Sequence, residues 1–186
     1  MIKIATAECF TQGKIGRELH AIAQGYEGDF GREYVKNLEE YGDFDYNELS
    51  VTCSLFIPTM EAVVKILNVE NPPKPDKLIK GIKVYDEKGD INVSKIMARS
   101  VKDLTGCDIA VGTTAGIGRG GICIVSDEYE ISTTTDIFAD LCENKSDDLF
   151  QRSQNGIRKT LKIVLLLLNG RIDEIEEIEN INLNIF

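Results

Sequence analysis

The chain has 186 residues, 42% of them hydrophobic, with 31 acidic against 21 basic side chains for a net charge of −10. That length favours one domain, that apolar fraction builds a core without disulfide staples, and that charge argues against a general binder of nucleic-acid phosphates. The longest apolar run, Ile163 to Leu168, is six residues, far below the ~18–20 that a membrane span requires, so no membrane role is expected.

Ile2 to Ala7 alternates apolar and polar residues as a strand entering a sheet does, and Lys14 to Gln24 places Ile15, Leu19, Ala21, Ile22 and Ala23 as a first helix. The chain begins directly with this strand, so no signal peptide is expected and the cytoplasm is the expected location. Gly25 to Asn47 is rich in Gly, Asp and Tyr, with a short helix expected around Glu33 to Glu40. Leu49 to Ile57 reads as a buried strand with Val51, Cys53, Leu55 and Ile57 on one face. Thr59 is a good N-cap for a following helix, in which Met60, Val63, Val64 and Leu67 form a core-facing stripe. Asn71 to Pro75 ends that helix as a stiff connector, either a surface loop or a lobe boundary.

Leu78 to Tyr85 is strand-like, Asp86 to Asp90 a polar turn, and Ser94 to Leu104 a helix that buries Met97, Val101 and Leu104 and is capped by Gly106. Cys107 to Gly112 and Ile122 to Ser126 read as core strands, and Glu130 to Thr135 as a further edge. The longest helix is expected from Asp148 to Asn169. Its second half is apolar nearly all round, which calls for cover by the sheet and by another helix or subunit, so a homodimer is expected. A last short helix carries Asp173, Glu174, Glu176, Glu177 and Glu179. The fold class is α/β: a single-domain layered fold, residues 1–186, with a mixed β-sheet flanked by helices.

Cys9 is the most informative residue. It stands between the first strand and the first helix, the edge where active sites of open α/β sheets collect. A free thiol with pKa of about 8.5 is roughly 3% thiolate at pH 7, and a nearby helix N-terminus is worth about 0.3–1 kcal/mol toward the anion. Lys14 and Arg17 push the same way and Glu8 opposes them. The alternative is a small buried apolar cysteine. The five cysteines (Cys9, Cys53, Cys107, Cys123, Cys142) form no Cys-x-x-Cys pair and His20 stands alone, so neither a zinc site nor a disulfide framework is expected. Cys53, Cys107 and Cys123 lie in apolar strands and read as core. His20 falls six residues beyond Lys14, about 9 Å along a helix and on a different face, so a Cys-His dyad is not encoded locally.

Gly112 to Gly121 formally contains G-x-G-x-x-G at Gly116, Gly118 and Gly121, but a strand follows where a dinucleotide fold needs a helix, and no Walker Gly-Lys-Ser/Thr is present. A hairpin remains, whose backbone amides, Thr113, Thr114 and Arg119 can contact a phosphate or carboxylate, or which is simply a glycine-rich turn. The hydroxyls of Ser132 to Thr135 and the Asp136 carboxylate suit ribose or base contacts; threonine is also an ordinary strand residue.

The segment Ala5-Thr6-Ala7-Glu8-Cys9-Phe10-Thr11, followed by Gly13-Lys14-Ile15-Gly16-Arg17-Glu18 and Ala23-Gln24-Gly25-Tyr26, resembles the N-terminal signature of the HcgF family of hydrogenotrophic methanogenic archaea. The Gly112 to Gly121 loop and the total length fit as well. The resemblance implies a role in biosynthesis of the iron-guanylylpyridinol cofactor of [Fe]-hydrogenase. It further implies that Cys9 forms a thioester with the carboxyl group of the guanylylpyridinol precursor, activated beforehand as an acyl-adenylate by the partner enzyme HcgE. On that basis Thr11 and the turn at Gly13 are expected to hold the reacting carbonyl, and Thr113, Thr114, Gly116, Gly118 and Arg119 the guanylyl nucleotide, with no tightly bound cofactor. Thr114-Ala115-Gly116 is also similar to a motif of adenosylcobinamide amidohydrolase, although Gly118-Arg119-Gly120 stands where that family has Asn-Ala. The readings that compete are therefore an acyl acceptor, a hydrolase, and a non-catalytic nucleotide-binding scaffold. An acyl-adenylate already carries a good leaving group, so a chain without an obvious general base fits the first best.

Overall fold

The computed structural model describes residues 1–30, 38–143 and 146–186. Its elements are β1 (Ile2–Glu8), α1 (Lys14–Gln24), β2 (Leu49–Phe56), α2 (Met60–Lys65), β3 (Lys77–Ile79), β4 (Ile82–Val84), α3 (Glu87–Thr105), β5 (Ile109–Thr114), β6 (Ile117–Gly118), β7 (Gly121–Val125), β8 (Tyr129–Thr133), β9 (Ala139–Asp140), α4 (Ser146–Leu168), α5 (Ile172–Glu176) and β10 (Asn182–Ile185).

Six strands form one mixed sheet in the order β10-β8-β7-β5-β1-β2. β1 runs parallel to β2 and β5, while β5–β7, β7–β8 and β8–β10 are antiparallel. Side chains alternate across β1 and β5, and the two faces bury separate cores. Ile4, Ile109 and Val111 join Ile15, Leu19, Leu161 and Val164 beneath α1 and α4. Ala5, Ala7 and Ala110 meet Val93, Met97 and Val101 of α3 on the opposite face. The small residues on that second face let α3 lie close to the sheet. At Gly112 an added Cβ would strike the Ser94 carbonyl oxygen and the Ala98 amide nitrogen. The result is a helix/sheet/helix sandwich, the α/β class expected.

Several elements differ from the sequence reading for identifiable reasons. β2 is an edge strand, and its register slips between Ile4 and Ala5 of β1, so Val51 packs with the α1/α4 core while Cys53 and Leu55 pack with the α3 core. A one-residue bulge moves every later side chain to the other face. Leu78 to Tyr85 is not one strand but a hairpin of β3 and β4, turned by Lys80 (φ 50°) and Gly81 (φ 82°). The supposed polar turn at Asp86 to Asp90 is the start of α3: the Asp86 side chain accepts from the Gly89 N–H as N-cap. Leu104 is 54% and Val64 38% exposed, so neither is core. β8 is internal, because β10 adds outside it.

Thr59 caps α2 through the Ala62 N–H, and Gly106 ends α3, as expected. The proline-rich connector is a loop pinned by the Tyr85 hydroxyl, which donates to the Pro73 carbonyl. Of the short helix expected around Glu33 to Glu40, residues 31–37 lie outside the described residues and Leu38–Glu40 is one 3-10 turn. The apolar half of α4 buries Ile163 to Leu166 within the chain, against α1, α5 and the sheet, so that stripe gives no reason to require a second copy.

Candidate functional site

Cys9 follows the carboxyl end of β1, between its two parallel neighbours. Its N–H donates to the Thr113 carbonyl at 2.9 Å and leans on the Thr113 hydroxyl at 3.2 Å. The chain then turns sharply through Gln12 (φ 58°) and Gly13 (φ 76°), two left-handed residues in succession, to enter α1. Cys9 is 6% exposed, and its Sγ lies 4.0 Å from the Pro58 carbonyl oxygen.

The thiol lines a cavity of about 170 Å³ with Phe10, Gln12, Phe56, Pro58, Ile82, Ala115, Leu141, Leu149 and Arg152. The walls are mostly apolar, and Arg152 is the cation among them. Those residues come from β1, β2 and its exit, β4, the β5–β6 turn, the stretch after β9, and α4.

The helix N-terminus expected to act on Cys9 is already occupied. Glu8 is buried, and its carboxylate accepts from the amides of Ile15 (3.1 Å) and Gly16 (2.9 Å) and from the hydroxyls of Thr6 and Thr11 (2.8 Å each). The positive end of α1 therefore serves Glu8. Burial pushes the Glu8 carboxyl above its usual range, against those four donors. The polar pattern orders itself: the Cys9 amide donates to the Thr113 hydroxyl, which donates to Thr11 at 2.8 Å, which donates to Glu8. Thr11 is thus a buried link to Glu8 and not a wall of the cavity.

Arg152 lines the cavity, while buried Lys83 bonds to Pro58 of its wall and buried Asp90 to Gly116, next to Ala115 of its wall. Arg152 is 2% exposed; its Nη1 donates to the carbonyls of Gly116 (3.1 Å), Gly118 (2.8 Å) and Ala139 (2.8 Å), while its Nε has no partner. Desolvation lowers the Arg152 pKa, with Asp90, then Cys9 and then Asp140 opposing that fall. The guanidinium also lies over the Phe10 ring, 5.9 Å from its centroid. Lys83 is fully buried and donates to the carbonyls of Ile57 (3.0 Å) and Pro58 (3.3 Å). Asp90, in the first turn of α3, accepts from the Gly116 N–H at 2.7 Å, while its other oxygen has no partner. Burial pushes Asp90 up to about 7, although the Gly116 amide, Arg152 and Lys83 all hold it down.

The glycine loop does form the expected hairpin, β5 pairing antiparallel with β7. Its polar groups are largely engaged within the chain. Gly116 serves Asp90 and Arg152, and Gly118 pairs with Ala139 and accepts from Arg152. Arg119 forms a forked pair with Glu87 at 3.0 and 2.8 Å. Thr113 belongs to the Cys9–Glu8 chain, and the Thr114 hydroxyl is buried without a partner. Of this group the Ala115 turn reaches the cavity.

The Thr133 to Thr135 run is buried, with the Thr135 hydroxyl spent on the Arg119 and Ile137 carbonyls. His20 is exposed, edge-on to Tyr26, and does not line the cavity. Cys107 and Cys123 are buried as expected, Cys53 is half-buried, and Cys142 is exposed. Among the described residues no His/Cys/Asp/Glu group fit to hold a metal is present, and no helix is long and apolar enough to cross a membrane.

Sequence reasoning missed Arg152, Lys83 and Asp90. Arg152 carried a detectable signal: it sits at helical spacing with Gly156, Thr160 and Ile163, all on the buried side of α4.

The family of FeGP cofactor biosynthesis proteins named HcgF matches residues 1–168. A UPF0254 protein of Methanococcus aeolicus is 46% identical over 162 residues, covering 87% of this chain and 92% of that protein. UPF0254 proteins of Methanopyrus kandleri and Methanothermobacter thermautotrophicus are each 40% identical, covering 96% and 88% of this chain and 94% and 97% of their own. Residues 1–168 run from the start of β1 to the end of α4 and hold Cys9, Lys83, Asp90 and Arg152. The chain belongs to the HcgF family of FeGP cofactor biosynthesis proteins.

Proposed function

We propose that this protein binds guanylylpyridinol and accepts its activated carboxyl group on Cys9 as a thioester. The observation that carries the reading is the placement of Cys9: a thiol at the carboxyl end of a parallel strand, lining a small, mostly apolar cavity. In the proposed step an adenylating partner such as HcgE uses ATP to convert the carboxyl to an acyl-adenylate. The Cys9 sulfur attacks the acyl carbon, the C–S bond forms, and the C–O bond to the phosphate breaks. AMP leaves with that electron pair, and the thiol proton passes to solvent. A cavity of about 170 Å³ suits a substituted ring rather than a whole nucleotide conjugate, since sites for drug-sized ligands are roughly 300–1,000 Å³. The pyridinol end therefore enters, and the guanylyl end lies outside. The apolar walls of Phe10, Phe56, Ile82, Leu141 and Leu149 keep water from the thioester.

The test is intact-protein mass spectrometry after incubation with guanylylpyridinol, ATP and the adenylating partner, for wild type and Cys9→Ala. The expected result is one adduct of ligand minus water, removed by hydroxylamine, absent in Cys9→Ala and mapped to the Cys9 peptide. Mapping matters because Cys142 is exposed and open to adventitious acylation. An adduct on Cys142 alone, or bound ligand with no adduct, refutes the acceptor role. Sustained AMP production with free acid returned and no adduct identifies a hydrolase instead.

A further inference from the structure

To accept an acyl group Cys9 has to react as the thiolate, because the thiolate and not the thiol is the nucleophile. The cavity makes that ion costly. Cys9 is 6% exposed and shares the cavity wall with Phe10, Phe56, Ile82, Leu141 and Leu149, and burial among such groups disfavours the charged form. The helix N-terminus cannot offset this, since Glu8 takes the Ile15 and Gly16 amides. Among the described residues the cation that lines the cavity with Cys9 is Arg152, carried on α4.

Resting on the reading of Cys9 as the acyl acceptor, we infer that Arg152 activates it: the guanidinium shares the cavity with the sulfur and stabilises the thiolate that attacks. The S–H bond breaks, its proton passes to solvent, and the electron pair left on sulfur forms the C–S bond. Three carbonyls, those of Gly116, Gly118 and Ala139, fix the guanidinium through Nη1, and it lies over the ring of Phe10, the residue next to Cys9. A charge fixed in advance stabilises an ion without reorganising. Asp90, Cys9 and Asp140 all hold Arg152 ionised against its desolvation. The two acids accept from the backbone amides of Gly116 and Cys142, and the Arg152 Nε has no partner. Glu8 opposes a thiolate, but its carboxylate is engaged by four donors of its own. Lys83 acts with Arg152: the Pro58 carbonyl oxygen lies 4.0 Å from Sγ, and Lys83 donates to that same oxygen at 3.3 Å, offsetting its repulsion of an anion.

The experiment is alkylation by iodoacetamide, in which the thiolate forms a C–S bond and iodide leaves. Rates from pH 6.5 to pH 9.5 are followed by peptide mass spectrometry, which separates Cys9 from exposed Cys142. The ratio of the Cys9 rate at pH 7 to that at pH 9 cancels differences in access to the cavity. It should be about tenfold lower in Arg152→Gln than in wild type, and Arg152→Lys, which keeps the charge, should restore part of it. Asp90, pushed up to about 7, titrates inside this window, so the comparison is repeated with Asp90→Asn in both proteins, where the difference should persist. An Arg152 that only ties loops together predicts rates changed equally at every pH, with the ratio intact, and that outcome overturns the inference. So does a wild-type Cys9 rate that climbs about tenfold per pH unit throughout, the behaviour of a thiol left un-ionised, and this needs no variant to fold. The expected pH dependence without any thioester adduct refutes the acceptor reading and leaves the Arg152–Cys9 pairing standing. A Cys9 unreactive at every pH overturns both.

Discussion

Replacing Asp90 by Asn tests whether the buried charge cluster is real. The substitution keeps shape and an acceptor for the Gly116 N–H while removing the titration. Asp90 is fully buried and is pushed from 3.8 to about 7, burial being the largest cause. A folded pKa above the unfolded one means that the native state holds the proton more tightly. The stabilisation is complete below about pH 4 and is lost as pH rises through about 7. The shift of roughly three units at about 1.4 kcal/mol each corresponds to ~4 kcal/mol over the full range. Between pH 5 and pH 8 the linkage relation gives a share of roughly 2.5 kcal/mol. Glu8 is raised as well and tilts the curve of wild type the same way, but it is common to both proteins and cancels in their difference. Tyr85, raised to about 12, titrates above the window. Urea denaturation at half-unit intervals from pH 5 to pH 8 should show Asp90→Asn gaining about 2.5 kcal/mol on wild type, with the gain flattening above pH 7. Parallel stability curves would refute the argument, because they would mean that Asp90 is ionised in the native state throughout and that Arg152 and Lys83 are already neutralised by it.

Glu8→Ala strands the Ile15 and Gly16 amides and the Thr6 and Thr11 hydroxyls. It should cost about 3 kcal/mol or more in urea unfolding; a loss below about 1 kcal/mol would show that Glu8 does not organise the start of α1. Gly112→Ala drives a methyl into the Ser94 carbonyl and the Ala98 amide, backbone atoms that cannot rotate away. It should destabilise by about 1–3 kcal/mol and lower the melting temperature without changing which residue carries an adduct.

What was legible in the sequence was local. The span Lys14 to Gln24, the Thr59 cap and the Gly106 stop depend on residues a turn apart, and those expectations agree with the fold. What was not legible depended on partners far along the chain. The bulge in β2 is set by its pairing with β1, nearly fifty residues away in sequence, and nothing inside Val51 to Cys53 announces it. The first turns of α3 contain Gly89 and Asp90, residues that read as a turn in isolation. They are helical because Asp86 caps them and because Asp90 reaches the Gly116 amide twenty-six positions on. β10 was overlooked because Asn182-Leu183-Asn184-Ile185 is too short and polar to stand out until it pairs with β8.

The same limit explains why Cys9 was found and Arg152, Lys83 and Asp90 were not. Cys9 was recoverable from its position, since a strand end followed by a helix is a local pattern with a general consequence. Arg152 and Lys83 drew no reading, because such side chains normally belong in solvent. The fold inverts that rule at both residues, burying Arg152 in the wall of the Cys9 cavity and Lys83 on the Pro58 carbonyl, with their hydrogen bonds spent on carbonyls. A buried cation that serves only to tie loops together is an expensive device, because a neutral donor would hold the same carbonyls without the desolvation penalty. That cost is offset in part by the acids that face them, Asp90 toward both cations and Asp140 toward Arg152.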